Sequence, residues 1–421
     1  MLTRFRVQGF KSLLDVELEL APLVVLMGPN AAGKSNLLEA LLLLSRLTTE
    51  QTLSAALAPP LRGYPLEAFS LPRGGLEALL QRKSADLTLE AVVQPAQILN
   101  KAASEPLQYR VAVRIEPKTG ALEVGDEYLA RLQRDGGPEP KPCIMLSGNS
   151  LDVRRSPRSG IVYSTPLLGL NHTLVSDRKY TSPHHPDIEL LRDELSGWQT
   201  YYLDPRDAMR EPQPPREVID IGSHGEWIAP FLYRLKENEG HAKYFRAVGR
   251  ALRQAIPTIE HLDVDLDPRR GTLDLIIQQD GTPYSSRVVS EGTLRVLALC
   301  CLAANPWPGK LVAFEEPENG VHPRRIEVIA DLLTSMVSGG GSQVVVTTHS
   351  PILIAAMLQK SHESPGQIKL FRCSQVGKTT QIKPFQITES LLNDPEIREA
   401  LTGPEDAQVV QALLTRGWLD D

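Results

Sequence analysis

The sequence predicts an α/β protein whose reactive groups stand at the ends of buried strands, and three segments carry that prediction. Leu23–Ser35 reads LVVLMGPNAAGKS, Leu311–Pro317 reads LVAFEEP and Val344–Pro351 reads VVVTTHSP. Unbroken apolar runs of this kind suit strands covered on both faces of a sheet. In open sheets of parallel strands, functional groups gather outside the carboxyl ends. The three runs deliver Lys34, the pair Glu315 and Glu316, and His349 to such ends.

The first run enters a loop fitting G-x-x-x-x-G-K-[ST] from Gly28 to Ser35, and helix-forming NLLEALLLLSRL follows it. This strand, loop and helix context is that of a P-loop nucleotidase. Gly28, Pro29, Asn30, Ala31, Ala32, Gly33, Lys34, Ser35 and Asn36 are expected to cradle the phosphates of ATP. Glycines let backbone N–H groups approach the phosphates, Lys34 reaches the β/γ-phosphates and Ser35 ligates Mg²⁺. Two carboxylates closing a buried strand are costly to desolvate unless they meet a metal or water. Glu315 is therefore expected near Mg²⁺, and Glu316 is placed to polarise a water. A lone His is more often structural than catalytic, but His349 ends a strand soon after the Glu-Glu strand. Upstream, Val288–Leu299 reads VVSEGTLRVLAL, a Ser-x-Gly turn entering an apolar helix with Ser290 as N-cap.

The order of FKSL (Phe10–Leu13), GPNAAGKSN (Gly28–Asn36), VSEGTLR (Val289–Arg295), FEEPENGVHP (Phe314–Pro323) and TTHSP (Thr347–Pro351) resembles the ATP-binding-cassette (ABC) class of ATPases. More closely, it resembles the RecF/SMC/OLD-like branch of soluble AAA-type ATP-binding proteins. The resemblance implies an ABC-type head: a mixed sheet flanked by helices, an antiparallel β-subdomain and an inserted helical lid. It also implies a homodimer with ATP at the interface, Ser290 and Gly292 of one subunit contacting the γ-phosphate held by the other. Lys34, Glu316 and His349 would be the catalytic groups, with His349 sensing the γ-phosphate. Gln81 is the candidate for a contact to Mg²⁺ and the attacking water, joining Ser35 and Glu315. Glu315 departs from the Asp more common at its position in the class. OLD-like nucleases continue into a Toprim domain, and neither the length nor its acidic set is present after His349. A nuclease working with this ATPase is expected to be another chain.

The intervals between motifs set the domain reading. Ala85–Val93 and Tyr109–Glu116 alternate apolar and polar residues, as Gly160–Thr165 does more loosely, and read as antiparallel strands. Leu53–Leu80 reads as short helices, and 135–215 clusters turn formers and prolines (GGPEPKPC, RRSPRSG, SPHHPD, REPQPPRE). Asp187–Leu195 and Ile228–Ala255 read as helices, and His261–Leu266 and Thr272–Gln279 as strands. Residues 1–130 are expected to form an N-terminal ATPase lobe, 131–257 a helical, Pro-rich lid or arm, and 258–421 a C-terminal lobe. That last lobe should close with a hairpin of Gln367–Cys373 and Gln381–Ile387, then short helices over Thr388–Asp421.

With 45 basic and 51 acidic side chains, the net charge of −6 does not advertise nucleic-acid binding but leaves a local patch open. Lys243, Arg246, Arg250 and Arg253 fall on one helical face by their spacing of three and four. A solvated face and a DNA-phosphate or partner contact are both open there, as they are for Arg154, Arg155 and Arg158. The His184-His185 pair reads as an exposed loop, and Cys300 and Cys301 as small buried hydrophobes. No run reaches the eighteen apolar residues of a membrane span, and the N-terminus alternates like a strand, so no membrane contact and a cytoplasmic location are expected.

Together these readings point to an ATP-gated dimeric switch acting on DNA or on a separate nuclease or effector, in genome maintenance or in defence against mobile elements. Two alternatives remain. One is the ATPase subunit of an ABC transporter, against which the S-E-G-T signature, the FKS start and the Pro-rich insertion count. The other is an ATP-binding scaffold with little turnover, which the intact Glu316 and His349 disfavour.

Overall fold

The computed structural model describes residues 1–95, 105–133, 135–155, 160–338 and 341–385. The chain opens with β1 (Leu2–Phe10), β2 (Leu13–Glu19) and β3 (Leu23–Met27), followed by α1 (Lys34–Thr49), α2 (Leu53–Ala56) and α3 (Gly75–Leu80). Six strands come next: β4 (Ala85–Val93), β5 (Leu107–Glu116), β6 (Ala121–Arg131), β7 (Ile144–Ser147), β8 (Ser150–Arg154) and β9 (Val162–Pro166). Then come α4 (Pro186–Ser196), β10 (Trp198–Tyr201), α5 (Ile228–Glu237), α6 (Ala242–Ala255), β11 (Ile259–Asp267), β12 (Thr272–Gln279) and β13 (Thr282–Ser285). The chain continues through α7 (Glu291–Ala303), β14 (Leu311–Glu315), α8 (Ile326–Ser338), β15 (Gln343–Thr348), α9 (Pro351–Glu363), β16 (Ile368–Val376) and β17 (Thr379–Pro384).

These elements form two compact units. The first comprises Met1–Ala21, Asn30–Trp198 and Cys373–Lys383. The second comprises Pro22–Pro29, Gln199–Arg372 and, among the described residues, 384–385.

An antiparallel eight-stranded sheet, in the order β2-β1-β4-β5-β6-β7-β8-β9, builds the first unit. In β5 the side chains of Leu107, Tyr109, Val111, Val113 and Ile115 are buried and those between them are more exposed, the alternation a one-sided sheet requires. A polar group interrupts that apolar face. Glu127 of β6 is fully buried and accepts hydrogen bonds from the Tyr109 hydroxyl at 2.9 Å and from the backbone N–H groups of Leu174 and Val175 at 2.6 and 3.0 Å. Burial pushes its carboxyl up to about 7, against the pull of those three donors.

In the second unit, β14, β15, β3 and β16 pair in parallel in that order, with β10 beside β14. Every side chain of β3 and β15 is buried, so the unbroken apolar runs were the right signal. α7, α8 and α9 supply apolar surface to the same core, in which Cys300 and Cys301 are buried as expected. Burial pushes the Cys300 thiol up to about 12, so it behaves as a small hydrophobe. A three-stranded sheet, β11-β12-β13, adjoins α5 and α6. β16 runs past Arg372 into the first unit, where β17 pairs with it across the turn at Gly377, as the expected closing hairpin required. Residues 388–421, expected to hold short helices, lie outside the described residues.

Residues 131–257, expected as one inserted lid, are instead shared out. β7, β8 and β9 extend the first unit's sheet, α4 joins that unit, and α5 and α6 join the second. Strands of four or five residues carry at most two or three inward side chains, too few for alternation to stand out among prolines. The helix expected over Ile228–Ala255 is two helices, broken between Glu237 and Ala242 where Asn238 accepts from the Gly240 N–H in a local turn. His185, expected to be exposed, is buried and meets Tyr180 edge to face with ring centroids 5.0 Å apart. Its neighbour His184 is exposed and contacts the Arg155 guanidinium. Arg158 lies outside the described residues.

Candidate active site

Strand register brings two of the three expected catalytic groups, Glu316 and His349, to one edge of the second unit's sheet. Glu315 of β14 lies opposite Thr347 of β15, and Thr348 lies opposite Met27 of β3. Because the three strands are parallel and end level, the residues that follow them, Glu316, His349 and Gly28, leave the same edge. Glu316 has φ 46°, a left-handed conformation costing about 1 kcal/mol for a side chain of this kind. Its N–H is held by the Thr347 carbonyl at 3.1 Å and the Thr347 hydroxyl at 3.2 Å. The turn points the carboxylate at His349, whose Nδ1 lies 2.8 Å from Glu316 Oε1. Asn319 Nδ2 donates to Glu316 Oε2 at 2.8 Å. A carboxylate only accepts, so Nδ1 carries the ring proton and Nε2 is the atom His349 can turn to a substrate. Asn319 was not singled out from the sequence. Its signal was the turn sequence EEPENG, in which a short amide side chain can reach back three residues.

The phosphate loop starts at Gly28 and Pro29 and delivers the rest of its residues to the first unit. Gly33 has φ 88° and caps α1 without a side-chain hydrogen bond, and the first turn of that helix has no acidic residue. The first N–H groups of a helix have no partner within it, so such an end is built to receive an anion. A Cβ at Gly33 would fall 1.9 Å from Thr380 Oγ1 and 2.9 Å from Ser12 Oγ, so only glycine fits. Lys34, next in the chain, is 4% exposed, and Ser35 and Asn36 are half-buried. Asn36 Nδ2 donates to Ser12 Oγ at 2.7 Å, and the Ser12 and Thr380 hydroxyls are 2.6 Å apart. This explains the FKS start: Ser12 braces the loop's helix. Lys11 pairs with buried Glu39 of α1, which also accepts from Arg62 Nε at 2.7 Å. Glu39 escaped notice in the sequence as a single acid inside an apolar run. Beside this bracing lies a cavity of about 450 Å³, lined by Lys11, Ser12, Leu14, Arg62, Phe69 and Thr379 among others.

In the second unit the S-E-G-T turn opens α7 as expected. Ser290 is its N-cap, accepting from the Thr293 N–H at 3.2 Å. The loop before it is fixed by Arg210, which donates to the carbonyls of Ser286, Arg287 and Val289 at 2.9, 2.7 and 2.7 Å. Next to the signature, Val288 is 70% exposed. Gly292 backs onto the turn after β14, where an added Cβ would meet the Gly320 carbonyl oxygen at 2.5 Å.

The sequence profile of the family described as "AAA domain, putative AbiEii toxin, Type IV TA system" matches residues 23–102 and 169–355, more than half of the chain. The chain belongs to this AAA-domain family. No curated protein matches it. Among solved structures, it is similar to an SMC head bound to the C-terminal winged-helix domain of ScpA, at 14% identity over 92% of this chain and 98% of that one, with a TM-score of 0.52. An SMC head with an extended coiled coil from Pyrococcus furiosus, bound to the C-terminal domain of ScpA, matches at 13% identity over 94% and 99%, TM-score 0.49. The SMC head domain from Thermotoga maritima matches at 14% over 91% and 99%, TM-score 0.41. At this identity the first of these shows the fold alone, that of an SMC head. The protein is an AAA-type ATPase.

The residues present in this AAA-domain protein fit ATP and Mg²⁺. The start of α1, which no side chain caps, suits phosphate, and the Ser35 hydroxyl in the first unit and the Glu315 carboxylate in the second are each a hard oxygen donor of the kind Mg²⁺ takes. Gln81 sits at the C-cap of α3 and is exposed; its metal role has only its place in the chain behind it. Among the described residues no helix is long and apolar enough to cross a membrane.

Proposed function

We propose that this ATPase works as an ATP-gated homodimeric switch, closing two heads on ATP and reopening on hydrolysis. In this reading Gly28–Asn36 cradle the triphosphate, Lys34 neutralises the β/γ-phosphates, and Ser35 and Glu315 hold Mg²⁺, with Gln81 as a third contact. Mg²⁺, when bound, neutralises charge on the phosphate oxygens. Glu316 orients the attacking water, and His349, held by Glu316, presents Nε2 toward the γ-phosphate. Ser290 and Gly292 meet the γ-phosphate held by the other copy.

The observation that carries the dimer is the signature turn. Arg210 holds its approach through three carbonyls, and an exposed Val288 stands beside Ser290, an arrangement suited to a surface that another copy covers. Light scattering on the Glu316→Gln variant with and without ATP tests it. ATP is expected to double the mass, and Ser290→Arg to abolish the doubling while nucleotide binding by the same chain survives. Losing the cap costs about 1 kcal/mol, so Ser290→Ala, which loses the cap without adding bulk, separates that effect. A mass indifferent to ATP and to Ser290→Arg would remove the switch.

For the biological setting we propose a cytoplasmic role in defence or genome maintenance, with DNA or a separate effector protein as partner. Three observations support this: the toxin–antitoxin wording of the family description, the partner proteins named with the SMC heads, and the exposed basic face of α6.

A further inference from the structure

Glu318 lies two residues beyond Glu316, on the turn that follows β14, and plays no part in the roles assigned above. It is 4% exposed. Its Oε1 accepts a hydrogen bond from the Thr348 hydroxyl at 2.5 Å, while its Oε2 is buried with no hydrogen-bond partner among the described residues. A buried carboxylate with one oxygen unsatisfied is a poor stabiliser compared with an apolar side chain of similar size. Its contribution lies in what it orients.

Thr348 immediately precedes His349, and its hydroxyl oxygen accepts from the Ser350 N–H at 3.0 Å. A hydroxyl has one proton. Giving that proton to Glu318 turns the oxygen's lone pairs toward Ser350, so one side chain grips the backbone on both sides of His349. Ser350 in turn caps α9, accepting from the Leu353 N–H. The His349 turn is therefore clamped between a strand end and a helix start, and the imidazole meets Glu316 from there. The same turn after β14 reaches the signature helix. Gly320 presents its carbonyl to Gly292, and the guanidinium of Arg295, one turn into α7, lies within electrostatic range of Glu318.

We propose that Glu318 is a positioning residue for ATP hydrolysis: through the Thr348 hydroxyl it holds the turn that aims His349 at Glu316. The proposal rests on the reading of Glu316 and His349 as the hydrolytic pair.

The test measures kcat, KM for ATP and thermal melting for the full chain and six variants. Thr348→Val keeps the volume and removes the hydroxyl, and Glu318→Ala removes its acceptor. Each is expected to lower kcat at least about 10-fold with KM little changed, because misplacing a catalytic group by about 1 Å can cost 10²-fold. Thr348→Ser and Glu318→Gln keep the donor and an acceptor oxygen and should recover most of kcat. The double variant Glu318→Ala/Thr348→Val should be no slower than the slower single one, since both break one bond. Native kcat in Thr348→Val, or single effects that multiply in the double variant, would overturn the proposal. So would a loss confined to melting temperature, which is what a purely structural role produces. Glu316→Gln distinguishes the two levels. If it is inactive while Thr348→Val turns over normally, only the positioning role fails. If it turns over normally, the hydrolytic reading fails and this proposal with it.

Discussion

Replacing Glu316 by Gln changes one atom, and the structure states what that atom does. Both carboxylate oxygens are engaged, Oε1 by His349 Nδ1 and Oε2 by Asn319 Nδ2, each at 2.8 Å. An amide has a single acceptor oxygen, so it keeps one of these bonds and turns an NH₂ group toward the other donor. It also loses the negative charge proposed to polarise a water. Removing the group that orients the nucleophile in phosphoryl transfer is expected to lower kcat by at least about 10², or about 2.7 kcal/mol of barrier. ATP affinity should hold, because in the proposed reading the phosphates are gripped by the loop and the start of α1. Phosphate release at saturating ATP measures the first quantity, and titration with a fluorescent ATP analogue the second. Turnover near the native rate in a folded variant would refute the assignment. Loss of nucleotide binding would show that Glu316 serves the ground state rather than the chemistry.

Three further outcomes follow from particular contacts. Gly292→Ala places a Cβ 2.5 Å from the Gly320 carbonyl oxygen, so urea denaturation should show a loss of about 1–3 kcal/mol, and unchanged stability would mean that the turn yields freely. Lys243, Arg246, Arg250 and Arg253 are all exposed on α6. If they grip DNA phosphates, replacing all four by Glu should flatten the plot of log affinity against log salt by about 3 to 4 while basal hydrolysis survives, and no salt-sensitive binding at low ionic strength with ATP present would leave the face to solvent or a protein partner. Glu127, raised from 4.5 to about 7 by burial, keeps its proton in the folded chain after the unfolded chain has released it. Its share of stability is therefore full below about pH 4.5 and falls as pH rises toward about 7, by roughly 3 kcal/mol in total. Urea midpoints across that range should decline in the native chain and decline less in Glu127→Gln, and equal slopes would show that another group titrates.

Much of the site was legible because its chemistry is local. A phosphate loop needs only a buried strand, glycines and a Lys-Ser pair at the head of a helix, and eight consecutive residues, Gly28–Ser35, supply them. The strand-end argument reached Glu316 and His349 for a similar reason: an apolar run marks a covered strand, polar side chains gather at its end, Glu315 on β14 and Thr347 and Thr348 on β15, and the residues that follow leave the sheet. Ser290 was readable as a helix cap from the turn alone.

Tertiary structure decided what these residues touch. Glu316 and His349 are 33 positions apart and Ser12 and Thr380 are 368 apart, separations at which no periodicity links partners. Asn319, Glu39, Arg210 and the Glu318–Thr348 bond belong to this second class. Each is a polar side chain whose surroundings, rather than its neighbours in the chain, give it a task. The division of 131–257 between the two units is of the same kind. Strands of four or five residues take their identity from the edge they pair with, and that edge exists only once β6 is in place. The residues proposed to bind phosphate, and those that end a buried strand, were thus set by local sequence, because backbone geometry and desolvation act over a few residues. Their pairing waited on the fold, because hydrogen bonds and charges select partners by distance in space.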